Sequence, residues 1–514
     1  MKMRTAGCSF LALLAGTAVA SAQETGPIVT IYSTLNPGQG VPRDALSQAR
    51  FNEGWSGVSN AVQGFATVRQ FMKLDLKNGL NDVRVTDVAA LIEPTTVTFE
   101  SLTAPAATRV LEQNFQFDLI GREKLLEKYL DKEIKVASAS GNQTAYSTGT
   151  LLSTAGGVVL RDKNGQVQIV ANPTGFELPT LPGGLLTRPT LLWRVETQQP
   201  GTHNARISYE TEGMTWWADY NALFSPGKDA NTGTMDLFAW VSIVNESGAS
   251  YPDATLKLIA GRVNRVVHRE NRPAYLGKSM SVAMEDRSAG FEQKAFFEYH
   301  LYTLGRTTSL PDSSTKQIEL FPAVQKIPCE KVLVYDGLAV EPGDYGGPMT
   351  DAGFGAQGRT NVDVYLRFKN SKDSGLGIPL PAGRVRVSQI DTGKTGDGIA
   401  EFVGEDVIQH TPRDESVLLR LGASFDVVAE RKQVDFKVDS ARRTMEETIE
   451  VSVRNRKDVK INMIVRERLY RWLNWEINGA SQKYEKTDAR TIQFPLTLEP
   501  GKEVKVRYTV TYSW

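Results

Sequence analysis

Glu405, Asp406, His410 and Arg413 form a dense cluster of titratable residues that could move a proton. Neighbouring carboxylates can drive one pKa upward, and a histidine beside them could complete a general acid and base. The cluster reads as a loop between two strands, where a salt-bridged turn is the simpler account of grouped charges. A second candidate is Asp219 beside Trp217, within a set of aromatics, Trp216, Trp217, Tyr220 and Trp240, that could stack on sugar rings. Gly393, Lys394 and Thr395 resemble the end of a phosphate-binding loop. However, Ser388 stands where the earlier glycine is needed, and the segment follows a strand without opening a helix, so it reads as a hairpin turn. His203, His268, His300 and His410 are scattered, and none is spaced with another or with Cys329 as metal ligands would be. His300 alternates with aromatics and reads as a packed strand residue. No Gly-x-Ser-x-Gly elbow offers a hydrolase nucleophile. Nothing in these residues points to a cofactor or a metal, and the surfaces left as ligand candidates are Trp217, Asp219, Asp406 and His410.

The elements that must position these residues are strands. Trp216, Ala218, Tyr220, Ala222 and Phe224 fall on one face and Trp217, Asp219 and Asn221 on the other, which is a period of two. One set is therefore core, and the other is exposed or at an interface. Packing is the simpler reading of the aromatics, and a ligand platform is the alternative. Leu237 to Val244 is a nearly unbroken apolar run, Asn245 to Gly248 supplies turn chemistry, and Ala254, Leu256, Leu258 and Ala260 alternate again. Residues 205–261 are expected to form a β-meander feeding a sandwich core.

Residues 1–22 carry Lys2 and Arg4, an apolar stretch from Phe10 to Val19, and Ala20, Ser21 and Ala22 before Gln23, the pattern of a cleaved export signal. No other stretch approaches the roughly 20 apolar residues of a membrane helix, so no transmembrane helix is expected. Beyond that signal Cys329 is the only cysteine, which excludes an intramolecular disulfide and leaves stability to burial. Whether Cys329 is buried or dimerises stays open. Lysine plus arginine and aspartate plus glutamate both number 59, so no net field gathers nucleic acid, and no nucleic-acid partner is expected. The 514 residues are 41% hydrophobic, enough for several cores of ordinary size.

The expected architecture is all-β with one short helix, as a multidomain β-sandwich. It comprises a signal peptide at 1–22, an N-terminal β-rich domain at 23–200, a central β domain at 201–433, and an immunoglobulin-like domain at 434–514. The helix is expected over 118–131, capped by Asp118, with Ile120, Leu125, Leu126, Tyr129 and Leu130 on one face. A short helix followed by tight strands has the layout of small SH3-like or Sm-like barrels. Residues 36–64 and 262–292 read as long excursions. In the last stretch Ile449, Val451 and Val453 alternate, as do Ile461, Met463 and Val465, and again Val504, Val506, Tyr508, Val510, Tyr512 and Trp514. That final run also matches the terminal strand of an outer-membrane barrel. No outward apolar band recurs at barrel spacing, so a closing strand of a sandwich is the simpler account.

Several blocks together resemble the bacterial exported family catalogued as domain of unknown function 4139. They are Gly213-Met-Thr-Trp-Trp-Ala-Asp-Tyr-Asn221, Trp240 to Asn245, Leu380 to Val387, Phe402 to Asp406, His410 to Pro412, Leu421 with Gly422, and Phe425 to Val427. The resemblance implies an exported or envelope-associated, β-rich protein without an assigned activity. The mucoidy inhibitor A group is more distantly similar in its C-terminal domain type, but its coiled-coil portion has no counterpart here. The expected function is therefore an exported, non-enzymatic binding or scaffolding protein, periplasmic or extracellular, whose partner is an envelope protein or a polysaccharide. The alternatives are an envelope hydrolase using the Asp406 and His410 loop or the Asp219 face, and an outer-membrane barrel.

Overall fold

A computed structural model of the chain describes residues 26–33, 64–86, 88–116, 122–140, 143–154, 157–180, 189–261, 263, 291–339, 346–356, 358–391 and 398–514. The expected signal peptide, residues 36–63 and 264–290 of the expected excursions, Asp118 and Ile120 of the expected helix, and the Gly393 to Thr395 turn lie outside the described residues. The fold is nearly all β, with 69% of it in strands and one α-helix, arranged as a multi-sheet sandwich.

Two large sheets enclose the central core. One has seven strands, in the order Phe291–Phe296, Tyr299–Leu310, Tyr251–Ala260, Ile28–Tyr32, Phe65–Leu76, Gly201–Glu212 and Thr98–Ser101. The other has thirteen strands and is built around Met214–Pro226. That strand pairs antiparallel with Thr232–Asn245 and parallel with Gly383–Ile390. The expected alternation holds: Trp216, Ala218, Tyr220, Ala222 and Phe224 are buried in the core between the sheets, while Trp217 and Asn221 turn the other way.

The expected meander over 205–261 is corrected. Gly201–Glu212 and Tyr251–Ala260 belong to the seven-stranded sheet, and the two strands between them belong to the thirteen-stranded one. Alternation reports which side chains face the core, and both sheets face the same core, so the pattern cannot tell a hairpin from a crossing between sheets. The first crossing turns at Gly213, whose φ is +79° and where a Cβ would lie 2.7 Å from the Glu246 carbonyl oxygen. A side chain is excluded there on both counts.

The chain before residue 200 contributes to this sandwich as well. Ile28–Tyr32 runs parallel to Tyr251–Ala260 and antiparallel to Phe65–Leu76. A three-stranded sheet of Gly79–Val85, Thr190–Thr197 and Thr108–Gln116 adds Trp193 and Val195 to the same core. Only the portion from residue 122 to 180 has a core of its own. The helix Arg122–Lys128 and the turn after it bring Leu126 and Tyr129 onto Ile134, Val136, Leu151 and Leu160. The five strands behind that helix run in the order Pro173–Glu177, Glu133–Ser140, Gln143–Ser153, Val158–Arg161 and Val167–Val170.

Two long strands join the central core to a second one. Ser314–Asp336 sends Ile318, Leu320 and Ile327 into the central core and Leu333 and Tyr335 into the C-terminal core. Ser416–Asp439 does the same with Val417 and Leu419, then Val427 and Ala429. The expected division at 433/434 thus falls inside one strand. Beyond it Thr444–Asn455, Ile461–Arg468, Thr491–Leu498 and Glu503–Ser513 bury the expected Ile449, Val451, Val453, Met463, Val465, Tyr508, Val510 and Tyr512. Glu503–Ser513 lies between Thr444–Asn455 and Asn474–Ala480 in an open sheet, and among the described residues no sheet closes into a barrel. No described helix is long and apolar enough to cross a membrane.

A buried asparagine ends three of these strands. Asn245 donates its amide to the carbonyls of Ala249, Leu310 and Pro311 at 2.9, 3.1 and 3.0 Å and accepts from the Ser247 amide. Asn455 donates to Val459 and Glu499 at 2.9 and 3.2 Å and accepts from Lys457. Asn370 donates to Ile378 and Pro412 at 2.7 and 2.8 Å and accepts from Gly377. Each satisfies backbone groups that a turn would otherwise strand away from water.

Candidate functional site

The outer face of the thirteen-stranded sheet collects the polar half of the double-tryptophan strand. Pairing sets Trp217 opposite Ser242, Asp219 opposite Trp240 and Asn221 opposite Phe238, and on the other flank it places Arg384 beside Asp219 and Arg386 beside Asn221. Ser242 is in turn opposite Gln317. Directly paired residues share a face of a sheet, so these side chains converge on one surface spanning four strands.

The Asp219 carboxylate organises that surface. One oxygen accepts from the Trp217 indole N–H at 2.7 Å and from the Ser242 hydroxyl at 2.7 Å, and the Gln317 amide donates to Ser242 at 3.0 Å. The second oxygen faces the Arg384 guanidinium at 3.6 Å and has no hydrogen-bond partner. Asp219 is 6% exposed, whereas Trp240 and Phe238 are 38% and 39% exposed. A buried carboxylate thus fixes the ring of Trp217 beside two further aromatics that are partly exposed. Aromatic faces held this way suit the apolar side of a sugar ring, with arginine and amide groups at hand for its hydroxyls.

Asp406 and His410 are not brought together as an acid–base pair. Glu405 and Asp406 lie inside the strand Ala400–Ile408, not in a loop, and only His410 and Arg413 follow it. The reason is that this strand lies at a sheet edge, where charged residues are tolerated and mask the strand pattern. Asp406 accepts from its neighbour Val407 at 2.8 Å and from the Arg420 amide at 2.7 Å, while His410 accepts from the Ala382 amide at 3.1 Å. These bonds run to different backbone amides, of Val407 and Arg420 for Asp406 and of Ala382 for His410. Glu405 pairs with Arg386 at 3.5 Å, at the margin of the tryptophan face.

Comparison with known protein families and with curated proteins returned no match.

The other candidates are structural. Trp216 and Tyr220 are core, their polar atoms donating to the carbonyls of Ile259 and Pro381 at 3.3 and 2.8 Å. His300 lies in a strand, accepts from Gln293 at 2.7 Å, and is pushed below its ordinary pKa by burial and by nearby Arg413. His203 is buried, with Nδ1 on the Ser101 hydroxyl and Nε2 on the Gln199 carbonyl, both at 2.8 Å. Since a carbonyl only accepts, Nε2 donates to Gln199, and Nδ1 shares a hydrogen bond with the Ser101 hydroxyl. Among the described residues no group of three histidine, cysteine or acidic side chains is placed to hold a metal. Sequence reasoning missed Phe238, Arg384, Ser242 and Gln317 as members of the face. Arg384 alternates visibly with its neighbours, whereas Phe238 and Ser242 lie in a nearly unbroken apolar run, and only the strand register sets these residues beside Asp219.

Proposed function

We propose that the protein is an exported, non-enzymatic binding protein that holds an envelope polysaccharide on the sheet face of Trp217, Asp219 and Trp240. The observation that carries this reading is the Trp217 ring, fixed by a buried carboxylate on an outer sheet surface beside exposed Trp240 and Phe238. The export pattern in residues 1–22 supports it. Three segments singled out in the sequence, Gly213 to Asn221, Trp240 to Asn245 and Leu380 to Val387, also meet on this one face. The C-terminal sandwich is read as immunoglobulin-like, and the protein as periplasmic or extracellular.

The test is binding of the full chain to isolated peptidoglycan and to purified neutral and acidic polysaccharides, followed by calorimetry. The double variant Trp217→Ala, Trp240→Ala should weaken binding by about tenfold or more, the scale of a truncated aromatic anchor. Trp240→Ala alone, at an exposed ring, should leave thermal stability little changed, whereas Trp217→Ala also takes a donor from buried Asp219 and should cost about 1–3 kcal/mol, so the single Trp240→Ala variant carries the test should the double one fail to fold. Unchanged affinity in the double variant, or no binding to any glycan, overturns the reading.

A further inference from the structure

A second candidate site lies on the C-terminal sandwich, away from the tryptophan face. Strand pairing sets Arg466 opposite Gln493 and Arg468 opposite Thr491. The Leu469 amide donates to the Arg490 carbonyl at 2.7 Å, drawing the turn at 487–491 against the same surface. The result is a cleft of about 490 Å³ lined by three arginines, Arg466, Arg468 and Arg490, one carboxylate, Asp488, and the polar side chains of Thr487, Thr491 and Gln493. Sites for small molecules span roughly 300–1,000 Å³.

The turn is built in advance. The Thr487 amide donates to the Thr491 carbonyl at 3.0 Å, Asp488 accepts from the Arg490 amide at 2.8 Å, and the Trp475 indole donates to the Ala489 carbonyl at 2.9 Å. The charges do not cancel. Arg468 is paired with Asp336 at 2.9 Å, whereas neither Arg466 nor Arg490 has an ion-pair partner among the described residues. Three arginines, Arg466, Arg468 and Arg490, face only two acids, Asp488 and Asp336, and this surplus next to threonine hydroxyls and an amide matches an oxyanion attached to a hydroxylated ring, since guanidinium donors fit carboxylate and phosphate oxygens in pairs.

We propose that this cleft binds a saccharide bearing an oxyanion, either a phosphate ester or a carboxylate. Arg466 and Arg490 hold the anion, and Thr487, Thr491 and Gln493 meet the ring hydroxyls. The site is separate from the tryptophan face, and the substitutions that test it, at Arg466 and Arg490, leave that face intact.

The experiment is calorimetric titration of the full chain with glucose 6-phosphate, glucuronate, inorganic phosphate and glucose. Glucose 6-phosphate or glucuronate should bind saturably and glucose should not, and the tighter of the two identifies the anion. Arg490→Gln and Arg466→Gln should each weaken that binding by about tenfold, the loss expected for a charge-assisted pair. The Arg490 side chain makes none of the turn's own hydrogen bonds, so Arg490→Gln should keep the native melting temperature and carries the test should Arg466→Gln fail to fold. Glucose binding as tightly as the acids, affinity unchanged in Arg490→Gln, or no binding of either acid at about 10 mM overturns the proposal. Inorganic phosphate binding as tightly as glucose 6-phosphate overturns the saccharide part.

Discussion

In the central sandwich Asn245 closes the end of its strand by donating to the carbonyls at Leu310 and Pro311. In the C-terminal sandwich Asn455 does the same at Leu498 and Glu499. The corners match, but the interiors differ. Trp216, Tyr220 and Tyr302 fill the central core, and their polar atoms reach only backbone carbonyls. The C-terminal interior instead holds two ion pairs, Arg431 with Glu467 and Arg471 with Glu447, both at 3.0 Å and with all four side chains 0–1% exposed. The cause is an irregular segment lying over that core. Arg431 donates to the Gly355 carbonyl at 2.9 Å, and Arg471 donates to those of Met349, Asp351 and Phe354 at 2.9, 2.7 and 2.9 Å. Residues 346–356 form no strand, so their carbonyls have no ladder partner and are satisfied by guanidinia, which in turn require carboxylates. Buried charge here marks where loop replaces sheet.

The largest effect that would break this comparison is removal of one carboxylate. Glu467→Leu leaves Arg431 buried without its acid and takes away the acceptor of the Tyr508 hydroxyl at 2.6 Å. The expected cost is about 3–5 kcal/mol, read by guanidinium unfolding. The double variant Arg431→Met, Glu467→Leu should recover much of that loss. In the central core Trp216→Ala should also cost about 3–5 kcal/mol, through a cavity that no second substitution at a partner repairs in the same way. A cost below about 1 kcal/mol for Glu467→Leu would show that the pair does not hold the segment down.

A smaller effect sharpens the likeness. Asn245→Ala and Asn455→Ala should each destabilise by about 1–3 kcal/mol, because each leaves several buried carbonyls unsatisfied. Equal losses in parallel unfolding curves would establish the two corners as equivalent devices. A loss at only one of them would restrict the device to that sandwich.

These residues also show what can be read without coordinates. Strand faces are legible wherever apolar and polar residues alternate, as at Trp216 to Phe224 and at Ile449 to Val453. The buried charges left a trace too: Glu467 continues the inward series Ile461, Met463, Val465, and Glu447 precedes Ile449 on the inward side. An inward acid is easily taken for the frayed end of a strand, because local pattern carries no sign of a guanidinium arriving from a distant strand. Half of the candidate site is legible on the same terms. Trp217 and Asp219 share a face by alternation alone, whereas Arg384 joins them only through a parallel pairing with a strand far along the chain. Asp406 was misplaced for the reverse reason, since a charged edge strand looks locally like a loop.

The smallest effect concerns Cys329, which sits in the long strand shared by the two sandwiches, paired with Gly233 on one side and Phe368 on the other. Burial pushes its thiol from 9.0 up to about 12. A thiol that is harder to ionise when folded than when unfolded adds stability below pH 9, and that contribution fades as pH rises from 9 toward about 12. At neutral pH nothing should change, and a thiol-specific reagent should label the native protein only through opening, since the thiolate is the reactive form. The labelling rate therefore reports on coupling between the sandwiches. Since Ser314–Asp336 and Ser416–Asp439 each run through both cores, weakening the C-terminal one by Glu467→Leu should speed labelling of Cys329 in the central one. An unchanged rate in that variant, with its C-terminal sandwich measurably loosened, would mean that the shared strands carry backbone continuity but no cooperativity, and that the two cores open separately.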